Sequence, residues 1–107
     1  MRKVAMSLVA ALAGLVLVAV TAHAQSKMTI KLSPKYLITG STRQIEVVDQ
    51  NCQVNLGTFS ITGGGSAVPV SICKSDAGYG NISYRNLTNN GPWTNSSLLH
   101  DGEEVSP

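Results

Sequence analysis

KMTIKLS, residues 27–33, alternates strictly between polar and apolar side chains and is the clearest secondary-structure pattern in the chain. In an extended strand, Met28, Ile30 and Leu32 fall on one face and the polar side chains fall on the other. A helix would instead place Ile30 on the opposite side from Met28 and Leu32. The alternation therefore predicts a half-buried β-strand.

The sequence after residue 24 also has the composition of a β protein. Serine, threonine, asparagine and glycine make up 34 of its 83 residues, and alanine occurs only twice. Val, Ile, Thr and Tyr recur in short runs separated by Gly, Pro and Asn, which favours strands joined by turns. We therefore expect an all-β fold, a small antiparallel sandwich or open barrel of six or seven short strands.

Three local patterns refine this expectation. Residues 36–39 predict a short strand. The phase of the apolar alternation changes at Gly57, which predicts a β-bulge or a strand break. Residues 54–61 and 68–72 flank a glycine-rich segment and predict a hairpin. Pro69 places the second strand of that hairpin at a sheet edge, because proline has no N–H.

Residues 1–24 have the pattern of a cleaved signal peptide. Two cationic residues precede an apolar run over residues 4–20, and Ala22 and Ala24 stand where signal peptidases require small side chains. No second apolar stretch of spanning length follows. We therefore expect residues 25–107 to be a single small β domain, periplasmic or secreted, with no transmembrane segment after cleavage.

The net charge of +2 comes entirely from Arg2 and Lys3 in this leader. The rest of the chain has six basic and six acidic residues, which excludes a globally cationic nucleic-acid binder. Lys27 and Lys31 form a basic strip on one face of the first strand, and such a strip can bind an anionic surface. The favoured interpretation is that the two lysines protect the protein from aggregation, because lysines on an exposed first strand discourage edge-to-edge pairing.

Cys52 and Cys73 are the only cysteines in the chain. An even number of cysteines in an oxidising compartment predicts one disulfide, which should stabilise the fold by about 3 kcal/mol. The spacing leaves open whether the bond clamps the predicted hairpin or joins two sheets. The single remaining histidine cannot complete a zinc site with the two cysteines. We predict neither a metal nor another cofactor.

His100 is the only histidine after the leader, and no catalytic motif accompanies it. A small hydrolase would need His100 to meet a serine and an aspartate from elsewhere in the fold. This is the least favoured of the functions considered, and the prediction is that the protein is not an enzyme and has no catalytic residues.

Tyr79 and Trp93 lie in a stretch rich in glycine and asparagine, residues 76–95. Rigid aromatic side chains among small polar residues are typical of adaptable binding surfaces, and exposed rings also stack on sugars. Tyr79, between two glycines, is predicted to be exposed, whereas Trp93 is also consistent with a structural role at one end of the fold. We expect a non-enzymatic module that binds a protein or glycan partner, such as a small inhibitor or an accessory envelope protein.

Residues 52–57, CQVNLG, and residues 68–73, VPVSIC, suggest an alternative function. Their pattern resembles the first disulfide segment of chaperone–usher pilin subunits, in which a Cys precedes an apolar-Gly strand and an alternating strand ends in the partner Cys. The spacing is shorter than in that family. The resemblance implies a structural subunit of a surface assembly that engages by β-strand addition along residues 68–72. The sequence does not specify an oligomeric state.

Overall fold

The computed structural model describes residues 26–107, which contain seven β-strands and no helix. The predicted signal peptide, residues 1–24, lies outside the described residues. The strands are β1 (Lys27–Leu32), β2 (Thr42–Asp49), β3 (Val54–Thr62), β4 (Val68–Cys73), β5 (Gly80–Asn86), β6 (Thr94–Leu99) and β7 (Glu104–Val105).

The strands form two sheets whose inner faces share one apolar core. One sheet has the order β4-β1-β7, and the other has the order β3-β2-β5-β6. All neighbouring strands are antiparallel except β1 and β7, which are parallel. The predicted all-β fold is therefore confirmed. Of the two predicted architectures, the chain adopts the sandwich.

The core contains the side chains that the alternating pattern places on one face of each strand. Ile30 and Leu32 of β1 are completely buried, and Ile45 and Val47 of β2 face them from the other sheet. Burying a side chain of this size contributes about 1.5–3 kcal/mol, so these alternating positions account for much of the driving force for folding.

Gly80, the first residue of β5, lies where the two sheets approach each other closely. A Cβ atom at this position would lie 2.5 Å from Ile72 Cδ1 and 3.0 Å from the Met28 sulfur. The first distance is shorter than real Cβ contacts and the second is tighter than most of them, so any larger residue at this position would force the side chains of Ile72 and Met28 to move.

The phase change at Gly57 is a β-bulge, as predicted. Val47 pairs with Gly57 and Val48 pairs with Asn55, so Leu56 is the additional residue in β3. Gly57 has a φ of 92°, a left-handed conformation that glycine adopts without steric cost. The strand continues through the bulge to Thr62.

The predicted hairpin between residues 54–61 and 68–72 is wrong. β3 pairs with β2 and β4 pairs with β1, so the two strands belong to different sheets. The glycine-rich segment between them crosses from one sheet to the other. Two alternating runs joined by glycines resemble a hairpin in sequence, but the apolar faces of these two runs pack against each other across the core.

The predicted strand at residues 36–39 is also wrong, because these residues form turns. The Leu37 N–H donates to the carbonyl of Pro34, and the Ser41 N–H donates to the carbonyl of Ile38. Tyr36 and Ile38 consequently point outwards and are 71% and 79% exposed. Pro34 favours such a turn because its ring fixes φ.

The disulfide joins the two sheets at one end of the sandwich. Cys52 lies in the turn between β2 and β3, and Cys73 is the last residue of β4, with a Cα–Cα distance of 5.9 Å. The predicted pairing is therefore confirmed. Of the two arrangements left open by the sequence, the bond joins the sheets.

Asp49, at the end of β2, lies beside this disulfide and is buried. Its Oδ1 accepts hydrogen bonds from the N–H groups of Asn51 (3.1 Å) and Cys52 (3.2 Å), and its Oδ2 accepts one from the Cys73 N–H (2.7 Å). The Asn51 side chain donates to the carbonyls of Cys73 and Tyr79. The carboxylate and the disulfide thus connect the same two segments.

Residues 101–105 cover the edge of β1 that does not pair with β4. The N–H of Lys31 donates to the Glu103 carbonyl at 3.0 Å, and the N–H of Thr29 donates to Asp101 Oδ1 at 2.8 Å. The Gly102 N–H in turn donates to the Thr29 carbonyl at 2.7 Å. β1 is therefore a central strand with both edges occupied.

Candidate binding face

The outer surface of the four-stranded sheet is lined almost entirely by hydroxyl and amide side chains. These residues alternate with the buried core positions of the same strands, and they include the side chains that pair across β2, β3, β5 and β6. We call this surface the polar face. It is formed by Thr42, Gln44, Glu46, Asn55, Thr58, Ser60, Thr62, Ser83, Arg85 and Asn95, together with the half-buried Val48, which pairs with Asn55 and Ser83.

Trp93 and a chain of three polar side chains cross the polar face. The Trp93 ring lies against the guanidinium of Arg85, with 4.7 Å between Arg85 Cζ and the ring centroid. Arg85 Nε donates to Glu46 Oε1 at 2.8 Å, and Asn55 Nδ2 donates to Glu46 Oε2 at 2.7 Å. The indole is thereby fixed on a guanidinium that is itself held by a carboxylate.

The charges of the polar face neutralise each other. Arg85 and Glu46 form the one salt bridge found among residues 26–107. The hydrogen bond from Asn55, and then that from Arg85, hold the pKa of the Glu46 carboxyl below its ordinary value of 4.5. The pair therefore remains ionised and internally compensated at neutral pH.

Further side-chain hydrogen bonds order the rest of the polar face. Gln44 Nε2 donates to Ser60 Oγ at 2.6 Å, and the hydroxyls of Thr42 and Thr62 lie 3.2 Å apart. Asn95 Nδ2 donates to Asn81 Oδ1 at 3.0 Å. These amides and hydroxyls are held in place but keep free lone pairs and N–H groups for a ligand.

Trp93 is 46% exposed, although it lies against Arg85. Tyr84, next to Arg85 on β5, is partly buried and packs against the core. The core at this end of the sandwich thus uses the tyrosine, while the indole remains on the surface at the border of the polar face.

Tyr79 lies at the opposite end of β5 from Trp93. Tyr79 precedes Gly80, whereas Trp93 is next to Thr94, the partner of Tyr84. The five residue steps from Tyr79 to Tyr84 correspond to about 17 Å, so the two aromatic residues lie at opposite ends of β5. The two residues, which are close in the sequence-based hypothesis, therefore belong to separate regions.

The surroundings of Tyr79 are less open than those of Trp93. The Tyr79 ring packs edge-on against the His100 ring, with 5.3 Å between centroids, and Tyr79 is only partly exposed. Beside it, Ala77 and Leu98 help to line a shallow depression of about 300 Å³. Leu98 is 67% exposed and has a φ of 56°.

Lys27 and Lys31 are exposed on the outer surface of the three-stranded sheet, opposite the polar face. Glu104 of β7 is the neighbour of Lys31 in register. The interpretation that these lysines protect an exposed strand edge is wrong, because β1 lies between β4 and β7. The lysines remain a second candidate surface, physically separate from Trp93.

β4 is an edge strand, as Pro69 predicts, but part of its free edge is already used. Pro69 has no N–H, and the Cys73 N–H donates to Asp49. The Cys73 carbonyl accepts from the Asn51 side chain. Between these positions, only the backbone of Ser71 and the Pro69 carbonyl face outwards. This leaves little for an added strand to bind.

The described residues do not bring His100 into a catalytic arrangement. Its backbone N–H donates to Glu103 Oε1 at 2.9 Å, and its ring packs against Tyr79. Asp49, Cys52 and Cys73 lie within 4.8 Å of one another, but both sulfurs belong to the disulfide and cannot act as thiolate ligands. That the protein is not an enzyme and binds no metal stays a prediction.

The sequence-based hypothesis included Trp93 but none of the other residues at or on the polar face. The pattern was present in β3, where Thr58, Ser60 and Thr62 alternate with buried side chains. Hydroxyls at such positions are also common on any solvated sheet, so the alternation alone does not indicate a site. Arg85 and Glu46 become recognisable only when β2 and β5 are known to be neighbours.

No protein-family model, curated protein or solved structure matches the chain. The resemblance to pilin subunits thus remains limited to residues 52–73. Among the described residues, no helix is long and apolar enough to span a membrane.

Proposed function

We propose that the protein is an exported, non-enzymatic domain that binds an extended, neutral glycan on its polar face, with Trp93 as the anchor. The observation that carries the proposal is the fixed, half-exposed indole of Trp93 at the border of a surface of ordered amides and hydroxyls. The leader pattern and the disulfide support an extracytoplasmic location, where such polymers occur.

Stacking supplies the first part of the argument. One side of the Trp93 ring lies on Arg85, and the ring is still 46% exposed. The C–H groups on one face of a pyranose ring are apolar and pack well on an indole. Because Arg85 already holds the ring in place, a sugar that stacks on it would order few additional rotamers, and binding loses less entropy.

Hydrogen bonding supplies the second part. Sugar hydroxyls act as both donors and acceptors, and they match side chains such as Gln44, Ser60, Asn95 and Ser83, which offer both kinds of group. A charged polymer is less suitable, since Arg85 and Glu46 compensate each other.

The shape of the surface favours a polymer rather than a small molecule. The nearest depression, beside Tyr84 and Arg85, has a volume of about 220 Å³, whereas pockets that enclose small ligands usually exceed about 300 Å³. An open sheet surface can instead contact several sugar units of one chain.

The single tryptophan makes the test direct. Trp93 is the only tryptophan in the chain, so its fluorescence should shift when a glycan stacks on it. We would titrate the purified protein with soluble glucan, xylan and galactomannan, and measure its retention on insoluble cellulose and chitin. Trp93→Ala should weaken binding by about 30-fold, corresponding to about 2 kcal/mol for an interface anchor.

The double variant Lys27→Ala/Lys31→Ala is the matched control, because it alters the opposite sheet and should bind as the unmodified protein does. Heparin is a suitable anionic probe. Binding to heparin that depends on the two lysines, with no response of Trp93 to neutral glycans, would contradict the proposal. Capture of a protein partner through Tyr79 with the same lack of glycan binding would also contradict it.

A further inference from the structure

β3 has a bulge at Gly57, but beyond it β3 is the one edge strand in the described chain that keeps a five-residue run, residues 58–62, without a feature that hinders pairing. Exposed strand edges are templates for another strand, and proteins usually block them with prolines, bulges or short strands. β4 contains Pro69, β6 has a bulge near Leu98, and β7 has only two residues. Residues 58–62 of β3 are regular and uncharged and contain no proline.

The free edge of β3 is formed by the backbone of Thr58, Ser60 and Thr62. In β2, the N–H of Gln44 donates to the Thr88 hydroxyl and its carbonyl accepts from the Leu87 N–H, so Gln44 faces β5. Backbone groups alternate along an antiparallel pair, and Ile45 therefore faces β3 and bonds to Phe59. The even-numbered residues of β3 then face away from the sheet.

We propose that β3 pairs antiparallel with β3 of a second copy of the chain, about a two-fold axis at Ser60. The sequence of residues 58–62, TFSIT, is nearly symmetric about that residue. The axis places Thr58 opposite Thr62 of the partner subunit and Phe59 opposite Ile61 of the partner subunit. Hydroxyls then meet hydroxyls on the polar face, and apolar side chains meet on the core side.

The backbone of this edge fits such a pairing. The two copies of Ser60 would exchange both of their hydrogen bonds across the axis, and each Thr62 N–H would donate to the Thr58 carbonyl of the other copy. The Thr62 carbonyl already accepts from the Gly65 N–H at 2.9 Å, so the pairing ends there. A symmetric, self-complementary contact of this kind produces a closed dimer rather than a filament.

The side chains at this edge gain burial from the same pairing. Phe59 is only partly buried in the isolated chain, although it packs against the core. Phe59 is the side chain with surface left to bury, because Ile61 is already only 1% exposed. Aromatic–β-branched pairs across strands, such as Phe59 and Ile61 of the partner subunit, are among the favourable ones. The pairing does not depend on the proposed glycan function, but it would join two polar faces into one continuous surface.

Charge placed at the axis tests the proposal. Ser60→Lys would put two ammonium groups directly opposite each other, and Ser60→Glu would do the same with carboxylates. We expect the unmodified protein to dimerise between micromolar and millimolar concentration in sedimentation experiments. Each variant should weaken the dimer by about tenfold, and an equimolar mixture of the two should restore it as a heterodimer.

The control is Ser71→Lys, the same substitution on the edge strand β4 of the other sheet, which should leave the dimer intact. Circular dichroism verifies that each variant is folded. Hydrogen exchange adds a local readout, because the Ser60 and Thr62 amides should exchange slowly only in the dimer. A protein that stays monomeric at millimolar concentration overturns the proposal. So does a dimer that survives Ser60→Lys or is broken by Ser71→Lys.

Discussion

At the residue scale, Asp49 is the least replaceable polar side chain of the described chain. It is 1% exposed and accepts from three backbone N–H groups. Asp49→Ala should lower the free energy of unfolding by about 2–4 kcal/mol, because it leaves buried donors without an acceptor. Urea denaturation measures the difference.

Asp49→Asn separates hydrogen bonding from packing. The amide preserves the volume of the side chain, but its NH₂ group must face either Cys73 or the pair Asn51 and Cys52. In both orientations at least one N–H loses its acceptor, so this variant should also be destabilised. Asp76→Ala, on an exposed turn, should change stability by less than about 0.5 kcal/mol. An Asp49→Ala variant as stable as that control would contradict the assignment.

Glu46 gives the fold a pH-dependent contribution. Hydrogen bonds from Asn55 and Arg85 lower the pKa of its carboxyl in the folded state below 4.5. A lowered pKa means that the folded protein favours the ionised form, so the stabilisation is present above pH 4.5 and disappears as the pH falls below that value. Glu46→Gln should therefore be less stable than the unmodified protein at pH 7, with the difference vanishing at lower pH.

Thermal unfolding of both proteins between pH 3 and pH 7 tests this expectation. Glu103→Gln, on the exposed segment after β6, serves as a comparison. A stability difference for Glu46→Gln that stays constant over the whole range would mean that ionisation of Glu46 is not involved.

At the element scale, β5 depends on the glycine with which it begins. Gly80→Ala would place a methyl group 2.5 Å from Ile72 Cδ1, and we expect a loss of about 1–3 kcal/mol in unfolding free energy from overpacking. Ile72→Val removes that Cδ1 atom. The double variant Gly80→Ala/Ile72→Val should recover part of the loss, whereas strictly additive effects would rule out the contact as the cause.

The positions of the strands were easier to predict from the sequence than the pairing between them. The alternation at β1, the bulge at Gly57 and the edge position of β4 all follow from local chemistry, namely side-chain period, backbone conformation and a missing N–H. The partner of β3 does not follow, because apolar alternation specifies which face is buried but not which sheet covers it. The turns at Tyr36 and Ile38 were predicted as a strand because they contain residue types that are common in strands.

Prediction of the candidate site was limited in the same way, by the unknown pairing of the strands. Trp93 could be identified as an aromatic residue in a polar stretch, and its sequence neighbours suggested that Tyr79 belonged with it. The strand between them separates the two rings, while Arg85 and Glu46, 39 residues apart, are brought into contact. Surface function depends on strand order, which the sequence pattern of a single chain does not contain.

At the scale of the whole molecule, β1 depends on partners that come much later in the chain. Its pairing with β4 and its cover by residues 101–105 are both remote in sequence, with a sequence separation of 72 between Thr29 and Asp101. β2 and β3, by contrast, are adjacent and join through a short turn. Contacts between distant positions form slowly because the intervening chain must first be closed into a loop.

This arrangement has a consequence for biogenesis. A chain that emerges from its N-terminus first would present β1 before any of its partners exists. β4 can then pair with one edge of β1, but the other edge stays open until residues 101–105 have been delivered. The antiparallel pairs of the four-stranded sheet, such as β2 and β3, can form during that delay. Completion of the three-stranded sheet thus requires residues 101–105, since a chain halted after His100 would lack the segment that covers the second edge of β1.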